Sequence, residues 1–384
     1  MKTGASDRID VTVILPALNE ENTIGICISK IQTVFQDMGI AGEIIVSDSS
    51  TDKTPEIARS YAVTVIHPKS PGYGCAYREA FEHARGKYII MGDADNTYDF
   101  LEIPLLLQEL EKGADLVVGS RFKGKILDGA MKPLHRYVGN PLLTHSLNII
   151  FHTHYSDAHS GFRAIRADDL EKLQLQSCGM EIASEMLIKA SKEGLVVSEV
   201  PITYYPRSSP SKLASFTDGW RHLRFILLLK PIPFLAVPGI ICTLFGIFLM
   251  AAFYTSSPDP SARTHSFILG SLLLAGGIEL LFFGIIIKVY SVMHGYEKKE
   301  GVVRVLLNYH TLEKFLILGA VLIFSGLLVG AYILYSWVGS GFGPLNQITN
   351  AVLSLSLVIL GLFIVFGSVL ISMMCLNDET YSDS

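Results

Sequence analysis

The stretch KYIIMGDADNTYDF, Lys87 to Phe100, decides how the first half of this chain folds. Tyr88 to Met91 form a short apolar run that ends on Gly92 and then on Asp93-Ala94-Asp95. An unbroken apolar run of this length suits a strand covered on both faces, as in a parallel sheet flanked by helices. The carboxylates that follow therefore belong at the rim of the sheet, outside its core. In open α/β sheets ligands bind beyond the carboxyl ends of the strands, where loops vary and helix N-termini converge. Two carboxylates one residue apart in such a turn can both reach a divalent ion. Hard oxygen donors with open positions suit Mg2+ or Mn2+ that also binds phosphate. An isolated Asp-x-Asp triplet can also be a solvated turn, but its place after a buried strand favours the metal.

The flanking sequence repeats the pattern. Val11 to Leu15 read as a strand broken at Pro16 and Asn19, and helix-compatible residues run from Asn22 to Met38 before Gly39. A second strand, Glu43 to Val46, leads to Asp48 and to a helix with Thr54 as its N-cap and Pro55 at its first position. The segment GYGCAYREAFEHARG predicts a third helix, closed by Gly86. Alternating strands and helices predict an α/β fold with a mainly parallel sheet.

The second half is a different material. Mean hydropathy is +0.39 over 384 residues, and the charged residues, 17% of the chain, concentrate before about Lys230. Four apolar segments follow, Pro233 to Tyr254, Phe267 to Val289, Phe315 to Val338 and Ala351 to Leu376. Each is about 20 residues or longer, enough to cross a hydrocarbon core. The link HGYEKKEGVVRVLLNYHTLEK between the second and third is rich in Lys and Arg, whereas TSSPDPSARTH has one Arg and GSGFGPLNQIT has none. The positive-inside rule then predicts two transmembrane hairpins, with the N-terminal domain cytoplasmic. Pro238 is placed to kink the first span. Glu279 in the second reads as an interhelical hydrogen-bonding group or a ligand-facing one. The stretch SFTDGWRHLRFILLLKP, with Trp220, Arg221, Arg224 and Lys230, suits a helix in the headgroup layer. The expected domains are 1–213, an interface helix 214–230, and a membrane domain 231–384. A net charge of -5 and the absence of a basic module argue against nucleic acid. The N-terminus lacks the apolar core of a signal peptide. Five scattered cysteines suggest neither zinc nor a disulfide framework, and a reducing compartment.

VILPALNEENT with IIVSDSSTDKT makes the pattern specific: Pro16, Asn19, Glu20, Asp48, Ser50, Asp52 and Thr54, followed by Asp93 and Asp95, resemble family 2 glycosyltransferases. The resemblance continues through GADLVVGSRFKG, SDAHSGFRAIR and VPITYYPRSSPSKL. It is closest to the branch that makes polyprenyl-phosphate sugars, of the dolichyl-phosphate mannose and glucose synthase type. It implies a GT-A fold, a nucleotide diphosphate sugar as donor and a polyprenyl or dolichyl phosphate as acceptor. It further implies that Asp48 contacts the base, that Pro16, Ala17, Leu18, Asn19 and Glu20, with Ser50, lie along the nucleoside, and that Gly72 and Gly74 approach the donor. Asp93, Ala94 and Asp95 form the implied metal motif. Thr97 stands where mannose synthases tend to carry Gln, so the resemblance leaves the third metal ligand open and favours UDP-glucose or UDP-N-acetylglucosamine over GDP-mannose.

A lipid phosphate and a donor diphosphate repel each other, so their approach needs fixed cations. The resemblance places Arg121 and Arg136 at the acceptor phosphate, and Arg207 and Lys212 on a loop over the donor. Asp157 matches an aspartate cast as a base, yet a phosphate monoester with its second pKa near 6 is already largely ionised at neutral pH, so positioning is the competing role. Arg163 either braces its loop or touches substrate. Glu185 orients an active-site arginine or, with Glu181, lies on a solvated face. His152, His154 and His159 lack the spacing of a metal cluster and read as structural or acceptor-facing histidines. The sequence thus predicts an inverting, metal-dependent hexosyltransferase anchored in the bilayer, with homo-oligomers allowed. Rival readings are a polysaccharide synthase, for which no Gln-x-x-Arg-Trp motif is present, and a transporter or flippase with a nucleotide-sensing domain.

Overall fold

The computed structural model describes residues 9–207, 230–255, 260–293, 309–343 and 347–374, with the single positions 220, 224, 227 and 228. The chain divides into two units, Met1–Phe225 and Ile226–Ser384. Most of the expected interface helix, and Lys212, lie outside the described residues.

In the first unit, β1 (Val11–Ala17) is the central element and is buried along nearly its whole length. It pairs in parallel with β2 (Gly42–Asp48) on one side and β4 (Tyr88–Met91) on the other. With β3 (Thr64–Ile66), β5 (Leu116–Ile126), β6 (Arg163–Arg166) and β7 (Val197–Tyr204) they form one sheet, ordered β3-β2-β1-β4-β6-β5-β7. Only β6 runs antiparallel, wedged between β4 and β5. This mostly parallel sheet, with helices packed on it, is the GT-A fold.

The helices cover the sheet with stripes of period 3.6. In α1 (Ile24–Met38) the buried set is Ile24, Cys27, Ile28, Ile31 and Val34, and Gly39 closes the helix in the left-handed region at φ 63°. Helix α2 (Thr54–Ser60) starts differently from the sequence expectation. Asp52 Oδ1 caps it, accepting the Thr54 N–H at 3.0 Å and its hydroxyl at 2.5 Å, while Thr54 Oγ1 accepts the Glu20 N–H at 2.9 Å. Helix α3 (Tyr73–Phe81) ends at Phe81, well before Gly86. Gly86 has another reason to be glycine: a Cβ there would lie 2.4 Å from Thr12 N, and its N–H donates to Thr12 Oγ1 at 2.8 Å. The remaining helices are α4 (Ile103–Glu111), α5 (Asn140–Phe151), α6 (Ala167–Leu173) and α7 (Ile182–Lys192).

One bond was not foreseen. Cys75 on α3 is disulfide-bonded to Cys178 in the loop before α7, although 103 positions separate them. Cysteine spacing is silent about a pairing that only the tertiary fold creates.

In the second unit four helices are long and apolar enough to cross a membrane, Ile232–Tyr254, Thr264–Met293, Leu312–Gly339 and Ile348–Met374. They match the expected spans and pair as two hairpins through glycines. A Cβ on Gly246 would meet Leu274 N at 2.5 Å, and one on Gly361 would meet Gly319 O at 2.6 Å. Close backbone approach of this kind is what holds helices together where water is absent. Ser271 and Ser356 hydroxyls join the hairpins at 2.7 Å. A π-helical turn at Ile232–Ala236 precedes Pro238, where the missing N–H loosens the ladder. Glu279 is exposed on the second span.

With Cys75 and Cys178 bonded, the denatured, unreduced chain should expose three thiols and the reduced chain all five. Ellman titration checks this, and five thiols before reduction would remove the bond.

Candidate active site

The carboxyl ends of β1, β2 and β4 open on a cavity of about 340 Å3. Pro16, Ala17, Leu18 and Glu20 line one side, Gly72 and Tyr73 another, and Asp93, Ala94, Asp95, Arg121 and Arg207 line the rest. The lining brings together ten of the expected site residues, whereas Asn19, Asp48, Ser50 and Gly74, also expected on the donor side, lie outside it.

The Pro16–Glu20 turn is fixed by the loop after β2. Asn19 adopts φ 52°, its amide oxygen accepts the Thr51 N–H at 2.8 Å, and its own N–H donates to Ser50 Oγ at 2.8 Å. Asp48 is buried at the end of β2, and its Oδ1 accepts the Ser50 N–H at 3.3 Å. Its Oδ2 accepts no hydrogen bond from the described residues, and His67 Nδ1 stands 3.7 Å away. Gly72 and Gly74 are required by the stapled loop: a Cβ on Gly72 would lie 2.2 Å from Cys178 O, and one on Gly74 2.3 Å from Ser177 O. Gly72 also holds φ 130°, which other residues avoid.

The acidic pair is held from both sides. Tyr73 donates its hydroxyl to Asp93 Oδ1 at 2.7 Å. Burial, then the neighbouring charge of Asp95, pushes the Asp93 carboxyl up to about 7. Asp95 Oδ1 accepts from Thr97 N–H at 3.0 Å and from Thr97 Oγ1 at 2.6 Å. Arg207 donates Nε to Asp95 Oδ2 at 2.6 Å, with Nη2 directed to the same atom. Thr97, expected as a metal ligand, is buried behind Asp95 and does not line the cavity, so its contact is with Asp95.

Arg121 and Asp157 form a closed unit. The guanidinium donates Nε to Oδ2 at 2.7 Å and Nη2 to Oδ1 at 2.8 Å, and the Arg121 N–H reaches Oδ2 at 3.1 Å. Asp157 is fully buried and does not line the cavity, whereas Arg121 does, beside the Tyr204 ring. Asp157 therefore serves Arg121. Arg163 braces the loop, donating to Ser160 O, Ala183 O and Ala158 O at 2.6–2.9 Å. Glu185 corrects its expectation: it is buried, accepts the Gln176 and Ser177 N–H groups at 2.9 and 2.8 Å, and pairs with Lys189 at 2.8 Å. Arg136 lies outside the cavity lining, on a π-helical turn at His135–Gly139 and over the Tyr137 ring. Sequence reading missed Tyr73, Tyr98 and Tyr204 as cavity residues, while His159, read as structural or acceptor-facing, lines the cavity. Only Tyr73 carried a local signal, between the two donor-side glycines.

Residues 12–174 match Glycosyl transferase family 2, and residues 285–375 match the Glycosyltransferase family 2 C-terminal transmembrane region. The chain is similar to the low-salt glycan biosynthesis hexosyltransferase Agl6 of Haloferax volcanii, at 42% identity across 94% of this chain and 88% of that protein. It is similar to the dolichyl-phosphate hexose transferase of the same organism, at 30% identity across 55% of this chain and 89% of that protein. Among solved structures, glucosyl-3-phosphoglycerate synthase from Mycobacterium tuberculosis, in complex with Mn2+, UDP and glucosyl-3-phosphoglycerate, gives a TM-score of 0.46 at 24% identity, over 57% of this chain and 78% of that one.

Two stability measurements check this geometry. Asp157→Ala leaves a buried guanidinium unpaired and should cost roughly 3–5 kcal/mol in urea unfolding, while Arg121→Met combined with Asp157→Leu should recover most of it. Asp93 has a folded pKa of about 7 against an ordinary 3.8, so the folded chain holds this proton more tightly and loses stability as pH rises between the two values. Asp93→Asn should therefore melt above the parent at pH 8, and the gap should close as pH falls through 7 toward 4. An equal gap at both ends would contradict the assignment.

Proposed function

Because the chain belongs to glycosyl transferase family 2, we propose that it moves a hexose from a nucleotide diphosphate sugar to the phosphate of a polyprenyl or dolichyl lipid. The observation that carries this reading is the cavity where Asp93 and Asp95 face Arg121 and Arg207, in a chain that is an integral membrane protein with four apolar spans. Two anions must meet there, and the cavity wall carries a cation for each.

The acidic pair fits a divalent cation. Burial and the charge of Asp95 push the Asp93 carboxyl up to about 7, and a divalent cation at the pair would favour its ionised form. Among the described residues no third His, Cys, Asp or Glu completes a cluster, so water and diphosphate oxygens would fill the other positions. Asp93 and Asp95 would hold Mg2+ or Mn2+, which when bound neutralises charge on the leaving diphosphate.

The rest belongs to the chain's own groups. Arg121, locked by Asp157, presents its remaining N–H groups to the lipid phosphate and orients it. An acceptor oxygen attacks the anomeric carbon from the face opposite the diphosphate; the bond from that carbon to the diphosphate oxygen breaks, and the nucleoside diphosphate leaves with the electron pair. Configuration inverts in this single displacement. The acceptor needs no base because its phosphate is already largely ionised near neutral pH, in accord with an Asp157 whose oxygens are engaged by Arg121. Asp48 and the Pro16–Glu20 turn would take the nucleoside, with UDP-glucose or UDP-N-acetylglucosamine preferred because Thr97 replaces a mannose-type Gln.

A lipid acceptor draws support from the helical stretch around Arg136, where Leu134, Tyr137, Val138 and Leu142 are exposed in one stripe. The basic link 294–314 favours a cytoplasmic catalytic unit; the Cys75–Cys178 bond is the feature that speaks for a less reducing compartment.

Incubating the full chain with Mn2+, a polyprenyl phosphate and a panel of radiolabelled nucleotide sugars should yield an organic-extractable product labile to mild acid. Asp95→Ala should reduce it by at least about 100-fold, as expected for losing an electrostatic group at the transferring phosphate. A polymeric or water-soluble product from the parent, or undiminished transfer by Asp95→Ala in excess EDTA, would overturn the reading.

A further inference from the structure

Asp95 is committed on both oxygens, but the two commitments differ in kind. Thr97 lies two residues away and is 1% exposed, so its hold on Oδ1 is local and permanent. Arg207 comes from the segment leaving β7, its side chain is 25% exposed, and both Nε and Nη2 converge on Oδ2. On Asp93, Oδ1 is already taken by Tyr73. The oxygen through which Asp95 could bind a cation is thus the one that the guanidinium holds.

We propose that Arg207 and the divalent cation compete for Asp95 Oδ2, and that the donor's diphosphate resolves the competition by receiving the displaced guanidinium. The inference rests on the metal reading above and adds a role for one residue. With both Nε and Nη2 on Oδ2, the lone pairs of that oxygen are engaged, and a divalent ion bound there would also meet the guanidinium's like charge. Once displaced, the fork needs another acceptor, and phosphate oxygens match its planar geometry. Arg207 lines the same cavity as Asp93, Asp95 and Gly72, so the move is short. The cation alone then binds weakly, and cation and nucleoside diphosphate bind cooperatively. By linkage each raises the affinity of the other by the same factor. Arg207 acts on the cation through Asp95 and is a positioning residue in that step.

The test is Mn2+ binding to the full chain in nanodiscs, followed by the EPR signal of free Mn2+. It is run without nucleotide and with UDP or GDP, subtracting the nucleotide's own Mn2+ binding. Arg207→Gln should bind Mn2+ alone roughly tenfold more tightly than the parent, a typical coupling factor, and nucleotide should then strengthen Mn2+ binding less than it does in the parent. Arg207→Lys, which keeps the charge and loses the fork, should fall between. If Arg207→Gln binds Mn2+ no more tightly than the parent, while Asp95→Ala loses binding, the competition is overturned and the metal site stands. If Arg207→Gln binds more tightly but nucleotide coupling is unchanged, the exchange onto diphosphate is overturned. If neither the parent nor any variant binds Mn2+ saturably, with or without nucleotide, the metal reading itself fails.

Discussion

Two carboxylates separated by one alanine, at the mouth of an otherwise apolar sheet, impose the charge requirement around which the catalytic unit is built. Charges that close, with little water between them, cannot both persist unless cations or hydrogen-bond donors sit beside them. The fold meets this from three directions. Tyr73 donates to Asp93, Thr97 holds one side of Asp95, and Arg207 holds the other. The Thr97 contact is local, but the other two are not: Tyr73 starts α3, the acidic pair follows β4, and Arg207 follows β7. The sheet's topology makes them neighbours, because β4 and β7 both deliver their carboxyl ends to one edge.

The two arginines of the cavity are held in different ways, and the difference assigns them different work. Arg121 has a bidentate partner that is fully buried and anchored to its own backbone N–H. Such a pair is stiff, and a stiff cation suits the anion that must be aimed. Arg207 has a single oxygen as partner, on the side facing the cavity. It is the cation that can move, and it suits the anion that arrives and departs. In the proposed reaction, one pair would orient the nucleophile and the other would accommodate the leaving group.

The sheet was legible where the chain announces it with apolar runs. The strands at Val11–Ala17, Gly42–Asp48 and Tyr88–Met91 lie where β-branched and apolar residues cluster, and the acidic residues fall at or just past their ends. The four spans were legible for the same reason, since hydropathy over about 20 residues needs no tertiary context. What escaped depends on contacts far apart in sequence. Glu185 looked like a surface or active-site residue because a four-residue spacing shows only a helix face; the loop at Gln176–Ser177, which it caps, arrives from the other side. Cys75 and Cys178 gave no signal for the same reason. Thr54 was read one step out of register because Asp52, two residues earlier, is the better acceptor for the first free N–H groups.

The stapled loop ties these observations together. Gly72 and Gly74 press against the backbone of Ser177 and Cys178, Gly74 N–H donates to Cys178 O at 3.0 Å, and Arg78 donates to Gln176 O at 2.8 Å. Glu185 fixes the far side of the same loop through its two N–H contacts. The turn that carries Tyr73 is therefore clamped by a covalent bond, a close backbone contact and a buried carboxylate, all within a few residues. Tyr73 needs that rigidity, since a hydroxyl that drifted from Asp93 would release a carboxyl already strained by burial. Rigidity on the Asp93 side and mobility on the Arg207 side are then complementary: one carboxylate is kept in place so that the other can exchange its partner.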